Sequence, residues 1–253
     1  MNCDFWECKR CSPPSNNVHV VSSEIKSLIS SLNLLPTSLD TIDEDDENEE
    51  NFLSISVNCK YYELHEFKDI QNKSKFFSAL HLNISSLDKH FDKLHTLLAE
   101  TNHQFEIIGL TETRLSESIK NSRKYSIQNY KIEDKPTQAS AGGAMLYIAD
   151  HLPFIPREDL SNEIYLAKSI ESVFVEICEP KKKNVIVGCI YRHHTISTDD
   201  FNVNYLAPLL AKVSNENKTL MLLGDFNVDL LKADSDQPVS RFLDTMSSYL
   251  LLP

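Results

Sequence analysis

The sequence predicts an α/β layered domain over residues 76–253, preceded by a largely disordered N-terminal segment. Three observations carry this. Apolar runs of strand length recur along residues 76–253. Apolar residues at helical spacing fall between some of them. The first third differs in kind, because its acidic run DEDDENEE belongs to no periodic pattern.

Residues 1–12 are a short Cys-rich piece. Residues 22–35 place Ile25, Leu28, Ile29 and Leu32 at helical spacing, with Ser22 or Ser23 as cap and Pro36 beyond the end. Residues 40–51 read as a solvated acidic linker, so 13–75 are expected to hold one helix and that linker. From 76 onward the elements alternate. FFSALHLN is a strand, and SSLDKHFDKLHTLLAE a helix with Leu87, Phe91, Leu94 and Leu98 on one face. FEIIGLTE, GGAMLYIA, SVFVEIC and NVIVGCIY are four further strands. DDFNVNYLAPLLAKV is a helix that aligns Phe201, Tyr205, Leu209 and Leu210. KTLMLLGDF is a sixth strand, and PVSRFLDTMSSYLL a final helix with Pro238 in its first turn.

The chain has 253 residues and is 41% hydrophobic, enough for a sizeable core. Its net charge of −12 is the wrong sign for a simple nucleic-acid binder. The excess is uneven, however. Residues 1–75 hold 7 Lys/Arg against 14 Asp/Glu, whereas 76–253 hold 18 against 23. The acidity of the whole therefore says little about a face of the second part. No apolar run approaches membrane-spanning length, and MNCDFWECKRC lacks the apolar core of a signal peptide. An intracellular, reducing setting, nuclear or cytoplasmic, is expected, with Cys178 and Cys189 as free thiols inside strands.

Polar residues close several of these strands: Asn83 the first, Glu112 the second, Tyr191 the fifth, Asp225 and Asn227 the sixth. Strand ends along one edge of a layered sheet can converge. A Glu, an Asp and two Asn make an oxygen-rich pocket suited to Mg²⁺ or Mn²⁺. Phosphodiester hydrolysis needs such a cation and an acceptor to orient water. Taken singly, Asn83 reads as a strand-end turn residue or helix cap and Tyr191 as a rim aromatic, while Glu112 is as readily an ordinary exposed acid. Gly224-Asp225-Phe226-Asn227 after an apolar strand is the sharpest of the signals.

LHLNISSL, IIGLTETRL, GGAMLYI, VGCIYR and LLGDFNVDLL, in that order, resemble the endonuclease/exonuclease/phosphatase superfamily. They look most like the apurinic-type endonuclease domain of non-long-terminal-repeat retrotransposons of the jockey and chicken-repeat type. The resemblance implies a four-layer α/β sandwich that acts on DNA. It implies metal binding by Glu112 with Asn83 beside it, a phosphate contact by Tyr191, water positioning by Asp225, and support from Asn227. Arg192 would touch substrate. The lysines of PKKKN (Lys181, Lys182, Lys183), between two strands, read as a solvated turn or, in a nicking enzyme, as contacts to the DNA backbone. Relatives carry a further Asp and a late His past this point, and none of the nine His here follows Asn227. The resemblance therefore implies an incomplete sandwich lacking its last strands, with reduced or lost activity. Cys3, Cys8 and Cys11 look like the remnant of a zinc finger, one ligand short of a structural Zn²⁺ site. No small-molecule cofactor and no membrane are expected. The alternatives are a phosphatase of the same superfamily, or a non-catalytic interaction fragment using the N-terminal helix and acidic run.

Overall fold

The computed structural model describes residues 19–20, 77–178 and 183–251. The helix expected at 22–35, the acidic run, Cys3, Cys8, Cys11, Lys181 and Lys182 lie outside the described residues.

Two mixed sheets form the centre. The first holds β1 (His19–Val20), β2 (Ala79–Asn83), β3 (Ile107–Thr111), β4 (Tyr130–Lys135) and β5 (Ala144–Ala149), in the order β1-β2-β3-β5-β4. The second holds β6 (Phe154–Pro156), β7 (Ile170–Ile177), β8 (Val185–Arg192) and β9 (Thr219–Asp225), in chain order. The pairs β2–β3 and β8–β9 are parallel and the others antiparallel.

Apolar side chains on both faces of a strand demand cover on both sides. Ile107, Leu146, Ile148, Val175, Val187 and Leu223 fill the space between the sheets. On the outer face of the first sheet, α1 (Leu87–Thr101) buries Leu87, Leu94 and Leu97. On the outer face of the second, Phe201, Leu209, Leu210, Phe242 and Met246 form the fourth layer. They come from α3 (Thr198–Phe201), α4 (Ala207–Ser214) and α5 (Gln237–Ser248). The architecture is therefore the four-layer α/β sandwich. Among the described residues β9 is paired on one side only, by β8.

Short or interrupted elements escape the sequence pattern, the two-residue β1 among them. In β4 the inward positions are Ile132 and Asp134, and an acid in the core register hides the alternation. Asp134 is satisfied by the Ser118 hydroxyl at 2.7 Å and the Ile119 amide at 3.0 Å. The strand β6 has three residues, and α2 (Glu158–Glu163) has six with a single aliphatic, too few to show a period. The helix expected over 199–213 is present, but Asn202–Leu206 winds as a π-turn between α3 and α4. Pro208 follows it, and its missing N–H removes one donor from the ordinary ladder.

An ion-pair network ties the sheet end remote from β9's Asp225. Arg157 meets Glu176 at 2.9 Å and Glu216 at 2.5 Å, and Lys218 reaches both acids at 2.7 Å. Hydrogen bonding from Arg157 is the main reason that the Glu216 carboxyl falls from its ordinary 4.5 to about 2. A lowered folded-state value stabilises the fold above the ordinary value and loses that contribution as pH falls through the folded one. Glu216→Gln is thus expected to melt below the wild type at pH 7. The gap should close as pH drops from about 4.5 towards about 2, and a gap constant with pH in thermal melts would contradict this.

Candidate functional site

β2 ends at Asn83, and its parallel neighbour β3 ends at Thr111, directly opposite, so Glu112 leaves the sheet beside Asn83. In the second sheet Tyr191 is paired with Asp225 across the parallel β8–β9 pair. The two sheets pack with β2 and β3 against β9. Strand ends from both layers thereby meet at one rim.

The meeting is direct. The Asn83 amide nitrogen donates to Glu112 Oε1 at 3.0 Å and to Asp225 Oδ2 at 2.8 Å. One side chain thus bridges carboxylates 113 positions apart in sequence, and its own oxygen accepts from the Ser85 amide at 3.1 Å. The other oxygen of Asp225 accepts from the Asn227 amide at 3.0 Å. Burial pushes the Asp225 carboxyl up, and the charge on Glu112 adds to this, against the pull of the Asn227 and Asn83 hydrogen bonds. The second oxygen of Glu112 takes Arg114 Nη2 at 2.9 Å. Tyr191 is 2% exposed. Its phenol is pushed above its ordinary value by burial first, then by Glu112 and Asp225.

The backbone here is unusual. Ser85, Ser86, Glu112, Arg114 and Asn227 all have positive φ, half of the ten non-glycine residues that do among the described residues. Such conformations cost of order 1–3 kcal/mol each and gather where the surroundings over-determine them. Gly224 explains the residue before Asp225. Its φ is +151°, and a Cβ there would lie 2.1 Å from the Ile190 carbonyl oxygen. β9 can turn Asp225 towards Asn83 only because position 224 has no side chain.

No family model matches the sequence, and no curated protein matches it. Solved structures do. The AP endonuclease LMAP from Leishmania major superposes with a TM-score of 0.54 at 14% identity, over 81% of this chain and 78% of that one. The two chains share one fold. The human Nocturnin catalytic domain with bound sulfate has a TM-score of 0.45 at 12% identity, over 69% of this chain and 75% of that one. ANGEL2, a 2′,3′-cyclic phosphatase, has a TM-score of 0.42 at 17% identity, over 60% of this chain. The chain spans about half, 52%, of the ANGEL2 structure.

Within that sandwich the other expected residues fall in three places. Asn227 is at the rim but turned inward, its carboxamide donating to the Arg192 carbonyl at 2.6 Å. Arg192 was expected on substrate and lies beneath the site instead, 3% exposed. Its guanidinium donates to the carbonyls of Phe226, Ile196 and Asn227. The reason is register: successive β8 side chains face opposite ways, so a Tyr191 aimed at the rim sends Arg192 to the other face. Lys183, also expected on substrate, precedes the first residue of β8, whereas Tyr191 is near its last. At about 3.3 Å per residue that is roughly 26 Å from the rim. Lys183 pairs there with Asn217 at 3.1 Å. Two residues carry no signal in sequence pattern: Arg114, which occupies Glu112, and Glu171, which is buried opposite Tyr191. The motif IIGLTETRL contains Arg114, but only the turn at 112–114 brings it back to Glu112.

Two carboxylates sharing one amide donor suit a hard divalent ion. Mg²⁺ characteristically takes one or two protein carboxylates and fills its shell with water and phosphate oxygens. Among the described residues no group of three or more His, Cys, Asp or Glu side chains forms a cage. Glu112 and Asp225, with Asn83 between them, are the residues that would hold Mg²⁺ or Mn²⁺. Among the described residues, no helix is long and apolar enough to cross a membrane.

Proposed function

We propose that this chain is a Mg²⁺-dependent phosphodiesterase that nicks DNA, the activity of a retrotransposon-type endonuclease domain. The observation that carries the reading is the Asn83 bridge, which draws Glu112 of one sheet and Asp225 of the other to a single rim. The sandwich shared with the Leishmania AP endonuclease supports it.

The bound cation would offset charge on the non-bridging phosphate oxygens. Glu112 holds that region negative, and Asn83 keeps the two carboxylates in register. Asp225, partly desolvated and with one oxygen on the Asn227 amide, is placed to accept a proton from water and orient it for attack. The Tyr191 phenol stays protonated across the physiological range and so donates to a phosphate oxygen. Arg114 holds Glu112 until substrate and metal compete for it.

The test is relaxation of supercoiled plasmid by the purified chain with Mg²⁺, beside release of inorganic phosphate from a small phosphoester. Nicking that requires Mg²⁺, stops with chelator and falls at least about 100-fold in Glu112→Ala supports the reading. Phosphate release without nicking would favour a phosphatase. Neither activity would leave a binding role for the same rim.

A further inference from the structure

Glu171 is 1% exposed, yet its carboxylate is only half satisfied. Oε1 accepts from the Thr137 hydroxyl at 2.8 Å. No hydrogen bond of ordinary geometry reaches Oε2, which is itself buried. Burial pushes the carboxyl's pKa up, against the Thr137 hydroxyl and the nearby Gly143 amide, which favour its charge. A buried carboxylate oxygen without a partner is costly, and such a group in a folded core calls for a reason.

The surroundings supply one. Thr137 organises the segment 137–143: its hydroxyl accepts from the Ala139 amide at 3.1 Å and faces the Ala141 carbonyl at 3.3 Å. The segment closes over Glu171 with two glycines. Gly142 has φ +118°, and a Cβ on it would fall 2.7 Å from Glu171 Oε2. Gly143 has φ +90°, and a Cβ on it would fall 2.3 Å from the Thr113 hydroxyl. Their carbonyls then accept the two amides that follow Glu112, Arg114 N at 2.9 Å on Gly142 and Thr113 N at 3.5 Å on Gly143. Glu112 and Arg114 are both in the positive-φ region, so this stretch needs external bonds to hold its shape. Glu171 also stands directly across the strand pair from Tyr191.

We propose that Glu171 is a positioning residue. It anchors segment 137–143 through Thr137, and the diglycine carbonyls of that segment fix the turn that presents Glu112. Glu171 does not touch substrate in this scheme; it acts through the loop. The consequence for rate rests on the phosphodiesterase reading, but the consequence for the turn does not.

Amide hydrogen exchange on the isolated full chain, without metal or DNA, is the primary test, read at Thr113 and Arg114. In Glu171→Ala and in Thr137→Val these amides are expected to exchange about tenfold faster, the order that follows loss of a buried hydrogen-bond partner. Glu171→Gln keeps an oxygen for Thr137 and is expected to stay within about twofold of the wild type. Wild-type exchange in a folded Glu171→Ala, or a Glu171→Gln that behaves like it, overturns the proposal. If Glu171→Ala fails to fold, Thr137→Val decides by the same criterion. On a duplex oligonucleotide with Mg²⁺, Glu171→Ala should lose about 100-fold in kcat with KM changed less than about twofold, and Glu171→Gln should restore it. A wild type that never cleaves refutes the functional reading while the exchange result still settles the role of Glu171.

Discussion

Asp225→Asn is expected to lower Mg²⁺-dependent nicking by about 100- to 1,000-fold while the sandwich stays folded. The carboxylate has two hydrogen bonds to receive, from the Asn227 amide and from Asn83. A carboxamide has one oxygen, so one of these donors loses its acceptor. On the proposed reading the substitution also removes the proton acceptor and one of the two carboxylates that would hold the cation. Stability should move the other way or not at all. Burial and Glu112 both disfavour the charge on Asp225, so the neutral replacement relieves a cost that the native chain carries. A melt at or above the wild-type temperature, together with lost nicking, is the expected pair of results. Nicking retained at wild-type rate in a folded Asp225→Asn would remove Asp225 from the chemistry.

Arg192→Ala is expected to destabilise the chain by about 3 kcal/mol or more, because each buried carbonyl left without its donor costs about 1–3 kcal/mol. The guanidinium is 3% exposed and donates to the carbonyls of Ile196, Phe226 and Asn227. It also lies 5.7 Å from the centre of the Phe201 ring. Burial pulls the Arg192 pKa down, partly offset by Asp225, so the cation is held by neutral carbonyls rather than by a contacting carboxylate. Lysine does not rescue this arrangement, since one ammonium cannot span three carbonyls on two loops. Arg192→Lys should therefore lose about 2 kcal/mol in denaturant unfolding. Both variants should also slacken the Phe226–Asn227 turn that fixes Asp225. A substrate-contact role for Arg192 makes the opposite prediction: unchanged stability and weaker DNA binding.

The strands were legible because burial on both faces leaves continuous apolar runs. The cores of β3, β5, β7, β8 and β9 can be read almost directly from IIGLT, AMLYIA, IESVFVEI, VIVGCIYR and TLMLLGD. β4 was not legible, since Asp134 sits where a core residue belongs. The polar closers of the strands were legible for a related reason. An apolar run that stops at Asn, Glu or Gly-Asp-Phe-Asn marks where a chain leaves the core, and parallel register brings those exits together. What each side chain then does depends on facing, which local spacing conveys poorly. Tyr191 and Arg192 are neighbours with opposite fates, one at the rim and one beneath it. Glu171 reads in sequence as an ordinary strand acid, and only the fold of segment 137–143 over it shows that it is buried. PKKKN looks like a basic patch wherever it lies, and β8 carries Lys183 to the wrong end of the sheet for the rim.

On the proposed reading, carboxylates 112 and 225, delivered by different sheets, hold one divalent ion between them. Mn²⁺ binding followed by electron paramagnetic resonance, with a phosphorothioate duplex present to supply phosphate oxygens, tests it most directly. The wild type should take up a single Mn²⁺ per chain, and Glu112→Gln and Asp225→Asn should each weaken that uptake at least about tenfold. Uptake that neither substitution changes, or a wild type that binds none, would remove the metal from this rim.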